Sequence, residues 1–162
     1  MKETPVLDRP TGLRAPRGNA ADILESKARV IHAIGPKDTV YDAIAKMCDT
    51  RVGALLVMDG DNLLGIVSER DYARKVILQG RASKETLVEE IMTSQVVSVD
   101  PQASLAECMQ VVTRHSIRHL PVVGNGLVAG VLSTGDLVRE LLDQQAQTIH
   151  SLNSFIGSDY PT

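Results

Sequence analysis

This chain repeats itself. With Pro36 laid over Pro101, an offset of 65 residues, residues 30–77 fall over residues 95–142 without a gap. Pro36, Leu55, Val57, Gly65, Ser68, Asp71 and Arg74 land on Pro101, Leu120, Val122, Gly130, Ser133, Asp136 and Arg139. The identities are few. The apolar pattern is better preserved, and a pattern repeated at a fixed period means one structural unit used twice. The whole chain has 162 residues, enough for one domain or two small ones sharing a core. A chain of this size buries roughly 70% of its unfolded surface and needs no disulfide or metal to hold it.

Each copy reads as strand, helix, strand, strand, helix. In the first, a strand over 30–34 is stopped by Pro36 and Lys37. Thr39 then caps a helix, with Asp42 as its capping-box partner. Val40, Ala43, Ile44 and Met47 supply that helix's apolar stripe. An apolar strand over 54–58, a turn at 59–62 and a return strand over 63–67 form a hairpin. Ser68 starts a last helix that ends near Gly80. The second copy has a strand over 96–99, a break at Pro101, and a Ser104–Glu107 capping box. Its stripe is Leu105, Cys108, Met109 and Val112, its hairpin strands are 119–123 and 127–132, and its last helix covers 133 to about 142.

The fold class is therefore α/β (α+β): two βαββα units packed as a pseudo-two-fold pair. Strands apolar on both faces need cover on both sides, which one copy is too small to provide. The expected divisions are a disordered leader over 1–18, rich in proline and charge, and a first unit over 19–80 with a short helix ahead of its strand. A linker helix over 81–93 follows, capped by Thr86 with Glu89. The second unit covers 94–143 and a tail 144–162. In the tail, Ile149, Leu152, Phe155 and Ile156 recur at helical spacing. They need a surface to bury them, in this domain or in a second subunit.

Composition narrows the function. Aromatic residues are 2% of the chain and the net charge is −3, which argues against nucleic-acid binding: there is neither a basic surface nor a base-stacking platform. Cys48 and Cys108 read as reduced, partly buried thiols of a cytoplasmic protein. No apolar run is long enough to span a bilayer, and residues 1–20 lack the apolar core of a secretory signal. No Walker loop, G-x-S-x-G, H-E-x-x-H or G-x-G-x-x-G occurs, and Gly124-Asn125-Gly126 is a hairpin turn. His32, His115, His119 and His150 have no metal-ligand spacing, so no metal is expected. An enzyme acting on nucleotides would have only His119, His32 and the two aspartates below as its acid–base groups.

Two features carry chemistry. The first is Ser-x-x-Asp at a strand-to-helix junction, present twice: Ser68 with Asp71, and Ser133 with Asp136. As structure it is a capping box, with an acid in the favourable first turn. As function, free N–H groups at a helix start suit an anion, and a carboxylate there accepts from both hydroxyls of a ribose. The second is an asymmetry. Where the first copy has Val52-Gly53-Ala54, the second has Ile117-Arg118-His119 ahead of the strand Leu120-Pro121-Val122. A cation beside a buried strand asks for a partner: a phosphate, an acidic side chain, or solvent reached by snorkelling.

Gly65-Ile66-Val67-Ser68-Glu69-Arg70-Asp71, Gly130-Val131-Leu132-Ser133-Thr134-Gly135-Asp136 and Ile117-Arg118-His119-Leu120-Pro121-Val122-Val123 resemble the CBS domain, and their doubling resembles a tandem pair, or Bateman module. The likeness covers about residues 23–143. It implies βαββα units with two clefts that bind AMP, ADP, ATP, NAD or S-adenosylmethionine, a homodimer, and a regulated protein partner. It also implies roles: Asp71 and Asp136 for ribose; Ser68, Ser133 and Thr134 near ribose or phosphate; Arg70, Arg118 and His119 for phosphate. Pro121 belongs to the same motif. The adenine would lie near Ile31 or Val96, with Lys27 and Thr93 as weaker contacts. The first copy lacks the basic pair and the proline of the second, so the two clefts should differ. The resulting expectation is a regulatory module that binds adenine nucleotides and is not an enzyme; the alternative is a ligand-free interaction scaffold of the same fold.

Overall fold

The computed structural model describes residues 18–27 and 30–157. The elements are α1 (Ala20–Glu25), β1 (Ala33–Ile34), α2 (Val40–Thr50), β2 (Ala54–Asp59), β3 (Asn62–Ser68), α3 (Glu69–Tyr72), α4 (Val88–Ile91), α5 (Leu105–His115), β4 (His119–Gly124), β5 (Leu127–Ser133) and α6 (Thr134–Gly157). α3 continues through wide π-helical turns at Ala73–Ile77. The mixed helix and strand content is as expected, and the βαββα order recurs except at the second unit's leading strand. The leader expected over 1–18 lies, apart from Gly18, outside the described residues.

The repeat is visible at the level of single bonds. Thr39 and Asp42 close a capping box on α2, and Ser104 and Glu107 close one on α5. Both helices end on a left-handed residue, Arg51 (φ 56°) and Ser116 (φ 52°). The same closing bond follows each, Val52 N–H to Met47 O at 3.1 Å and Ile117 N–H to Val112 O at 3.1 Å. The β2–β3 and β4–β5 hairpins are antiparallel and bulge at matching places, after Val57 and after Val122.

The leading strands are shorter than expected. β1 pairs in parallel with β2 through two residues only. In the second unit the strand is reduced to a bridge between Val99 and Val122. The cause is Pro121. In the first unit the Leu56 N–H donates to the His32 carbonyl at 3.0 Å. The repeat puts Pro121, which has no N–H, where that donor would be, so the Val97 carbonyl loses its ladder bond.

Three further expectations are corrected. Thr86 does not cap α4; its hydroxyl donates to Ala82 O at 2.8 Å. Leu87 is the cap residue, and its N–H donates to Glu90 at 2.7 Å. Burying Val88 and Ile91 in the first unit sets that register. Cys108 is buried but Cys48 is exposed, because the stripe of α2 runs through Val40, Ala43 and Met47 and leaves position 48 off it. Finally, α6 does not stop near Leu142. No proline or glycine stands between Gly135 and Gly157, and the last helix and the tail as far as Gly157 are one helix.

There are two cores. α2, β2 and β3 bury Met47, Leu55, Val57 and Val67 together with Val88 and Ile91 of α4. α5, β4, β5 and α6 bury Leu105, Cys108, Leu120, Leu132 and Leu137 together with Ala20, Ile23 and Leu24 of α1. Thus α1, which leads the first unit in sequence, covers the second unit in space. Two glycines at equivalent positions make room for the covering elements. A Cβ on Gly130 would lie 2.8 Å from Leu24 Cδ2, and one on Gly65 would lie 2.8 Å from both Met92 Sδ and the Thr93 carbonyl. Burying Leu24 and Ile23 contributes about 1.5–3 kcal/mol each. The α1 backbone is fastened by Ala20 N–H to Ala103 O at 2.8 Å and Ala21 N–H to Pro101 O at 2.9 Å.

Candidate functional site: a cleft between the two units

Both Ser-x-x-Asp segments form the capping boxes expected of them. The Ser68 N–H and hydroxyl both reach Asp71 Oδ2 at 2.9 Å. The Ser133 N–H donates to Asp136 Oδ2 at 2.8 Å, and Asp136 N–H returns to Ser133 Oγ at 3.1 Å. Both carboxylates are largely buried. What differs is the rest of their surroundings.

Asp71 faces a cleft of about 230 Å³ built from both units. The first unit contributes Ser68, Arg70 and Asp71 at the start of α3. Thr93 comes from the segment after α4. The second unit contributes Val96, Arg118, His119 and Pro121. Eight of the residues expected at a site therefore meet in one place. The walls also include Gly53, Ile66, Val97, Ile117, Gln95 and Ser116, to which the sequence assigned no binding role. Gln95 was discoverable as the polar residue directly ahead of the Val96 strand. Ser116 has no signal beyond matching Arg51 in the repeat. Asp71 Oδ1 is paired with Lys75 at 3.0 Å, and Lys75 also donates to the Ile91 carbonyl at 2.8 Å.

The other expected residues lie elsewhere. Asp136 is paired with Lys27, whose ammonium is 2.6 Å from Oδ2 and also donates to the Val131 carbonyl at 3.0 Å. Burial pushes the Asp136 carboxyl up, but Lys27 and the Ser133 N–H outweigh it and hold the group below its usual value. Thr134 spends both its N–H (2.9 Å) and its hydroxyl (3.3 Å) on the Arg118 carbonyl. Ile31 is exposed on the extended segment ahead of β1. A larger, shallower depression of about 500 Å³, bordered by Asp100, Glu107 and Arg114, gathers none of these residues.

The sequence asymmetry proves to be a steric fit. The His119 ring packs on Gly53, where a Cβ would come within 3.3 Å of Cε1. Burial lowers the His119 pKa, with Glu69 pulling it back up and Arg118 pushing it further down, so the imidazole is neutral at pH 7. Arg118 is exposed, and its guanidinium has no hydrogen-bond partner among the described residues. Arg70 reaches across to the Ser116 carbonyl at a long 3.4 Å. The cleft thus presents two guanidinium groups able to grip an anion bidentately, a fixed carboxylate, and an aliphatic wall of Ile66, Val96 and Val97. Among the described residues no group of His, Cys, Asp or Glu is placed to hold a metal ion. Among the same residues no helix is long and apolar enough to cross a membrane.

The chain matches the family model of the CBS domain twice, over residues 20–77 and 88–143. It is 41% identical over 128 residues to CBS domain-containing protein CBSX3, mitochondrial, of Arabidopsis thaliana; the match covers 76% of this chain and 62% of that protein's length. It resembles the solved structure of a CBS-domain protein of Burkholderia ambifaria MC40-6 named for signal transduction. The identity is 50% and the TM-score 0.76, covering 79% of this chain and 96% of that one. The CBS domain protein PAE2072 of Pyrobaculum aerophilum, solved in complex with AMP, shares the fold at 24% identity. Its TM-score is 0.69, with coverage of 79% and 98%. With one match on each half of the repeat, and the cleft formed where the halves meet, this chain belongs to the CBS-domain family and carries two CBS units in tandem.

Proposed function

We propose that this protein is a regulatory CBS pair that binds an adenine nucleotide (AMP, ADP, ATP or NAD) in the cleft at Asp71 and Arg118 and signals to a partner protein. The observation that carries the reading is the meeting, in one cleft, of the Asp71 carboxylate with the free guanidinium of Arg118. Phosphate oxygens would be held by Arg118 and Arg70, ribose hydroxyls by Asp71 and Ser68, and the base by Ile66 and Val96. The AMP bound by the Pyrobaculum protein supports that class of ligand. These groups hold a ligand; none forms a nucleophile–base pair, and a binding role fits them better than catalysis. The Lys27–Asp136 pair fills the equivalent place in the other unit, which favours one nucleotide per chain. A phosphate competing for Arg70 would release its contact with Ser116 O in the opposite unit. That gives the ligand the differential affinity for two arrangements that any signal requires.

The test is thermal stability against AMP, ADP, ATP, NAD and S-adenosylmethionine, with GTP as control. At a hundred times its dissociation constant a ligand stabilises by about 2.7 kcal/mol. In a domain of this size that is a rise of roughly 5–10 °C. A rise with adenine ligands that is lost in Arg118→Ala supports the sensor reading. A second reading, a ligand-free scaffold, is favoured by the fact that both aspartates already serve as caps and lysine partners. Under it no nucleotide changes the melting temperature.

A further inference from the structure

α6 outgrows the body of the fold. Leu137 at its start is buried in the second core, but every residue from Gln145 to Ile156 is exposed. An isolated helical stretch of that length is marginal in water without a surface to cover its apolar side. Its exposed apolar residues are not scattered. Val138, Leu142, Ile149, Leu152 and Ile156, each between 44% and 64% exposed, are separated by steps of three and four, with Gln145 completing the series. Leu142, Ile149 and Ile156 are seven apart, as are Val138, Gln145 and Leu152. A narrow seam with a seven-residue repeat fits another helix wound around it and does not fit a flat surface. Glu140, Gln147 and Ser154, farthest from the seam, are polar.

We propose that α6 pairs with α6 of a second copy of this chain in a parallel two-stranded coiled coil along Val138, Leu142, Gln145, Ile149, Leu152 and Ile156. Gln145 chooses the occupant and the direction. In a parallel pair the two Gln145 amides meet and satisfy each other. In an antiparallel pair each would face apolar side chains and lose its hydrogen bonds. The positions flanking the seam, such as Ala146, Thr148 and Asn153, bring no like charges together. The apolar area the seam offers, with Phe155 beside it, is on the order of 600 Å² per copy. Its flanking residues bring it close to the roughly 800 Å² each partner gives to a standard interface.

Light scattering of the full chain decides the matter. The expected mass is twice the 17.5 kDa of one chain. The double variant I149D/L152D should run as a monomer with an unchanged thermal transition of the body. Q147D, the same charge on the far face, should stay dimeric. In a Cys48→Ser background, Leu152→Cys should cross-link on oxidation. A monomeric wild type overturns the proposal, and so does an I149D/L152D protein that remains dimeric. Dissociation of Q147D would show general melting of the helix, and failure of Leu152→Cys to cross-link would show a different pairing; either also overturns it.

Discussion

Lys27 and Asp136 are 109 residues apart in sequence, yet the Lys27 ammonium sits 2.6 Å from Asp136 Oδ2. In the first unit the equivalent carboxylate, Asp71, lies at the wall of an open cleft instead. Lys27→Met should cost about 1 kcal/mol at pH 7, the upper end for an exposed pair, because Lys27 is partly solvated and screened. The folded Asp136 pKa is lowered, so its contribution is present above the unfolded carboxylate value of 3.8 and is lost as pH falls through the folded one. The gap between wild type and variant, measured by urea unfolding, should therefore be full at pH 7 and shrink well below pH 4.

His119 has the same sign for a different reason. Its folded pKa is lowered by burial, so the unfolded chain binds the proton more readily. Stability should be flat above about pH 6.5, fall as pH drops through the folded value, and then level off. His119→Gln should remove that loss. Melting curves of both proteins between pH 8 and pH 4.5 check it; identical slopes would refute it.

Arg118 and Asp71 separate binding from folding. Arg118 spends no side-chain hydrogen bond within the described fold, so Arg118→Ala should leave stability within about 0.5 kcal/mol. Its nucleotide affinity should fall by roughly tenfold or more, the loss of about one charge-assisted hydrogen bond. Asp71→Ala removes a cap and a lysine partner as well. It should also destabilise the apoprotein by about 1 kcal/mol. Calorimetric titration with AMP beside urea unfolding distinguishes the two.

The two matched glycines should respond unequally to an added methyl group. In Gly65→Ala the new Cβ meets the Thr93 carbonyl, which is backbone, at 2.8 Å. Thr93 is fixed by two bonds to Ile66, so strand or linker must shift, at about 1–3 kcal/mol. In Gly130→Ala the contact at the same distance is the end of the Leu24 side chain, which rotates away more cheaply. Urea midpoints should rank wild type, then Gly130→Ala, then Gly65→Ala.

Most features carried by neighbouring residues were legible in the chain alone. The 65-residue repeat, the capping boxes at Thr39, Ser68, Ser104 and Ser133, and the hairpins follow from which faces are apolar and which residues satisfy free backbone groups. The first Ser-x-x-Asp motif and the Arg118-His119 pair marked residues that line the cleft, whereas the second motif lies outside it. Periodicity states that a face must be covered, and is silent on what covers it. Packing alone set α1 across the second unit and α4 over the first. It likewise decided that His119 rests on Gly53, and that Lys27 rather than solvent faces Asp136. Those are contacts between distant segments, chosen by packing at close distance, so two nearly equal motifs ended in different surroundings, Asp71 at the wall of a cleft and Asp136 against Lys27.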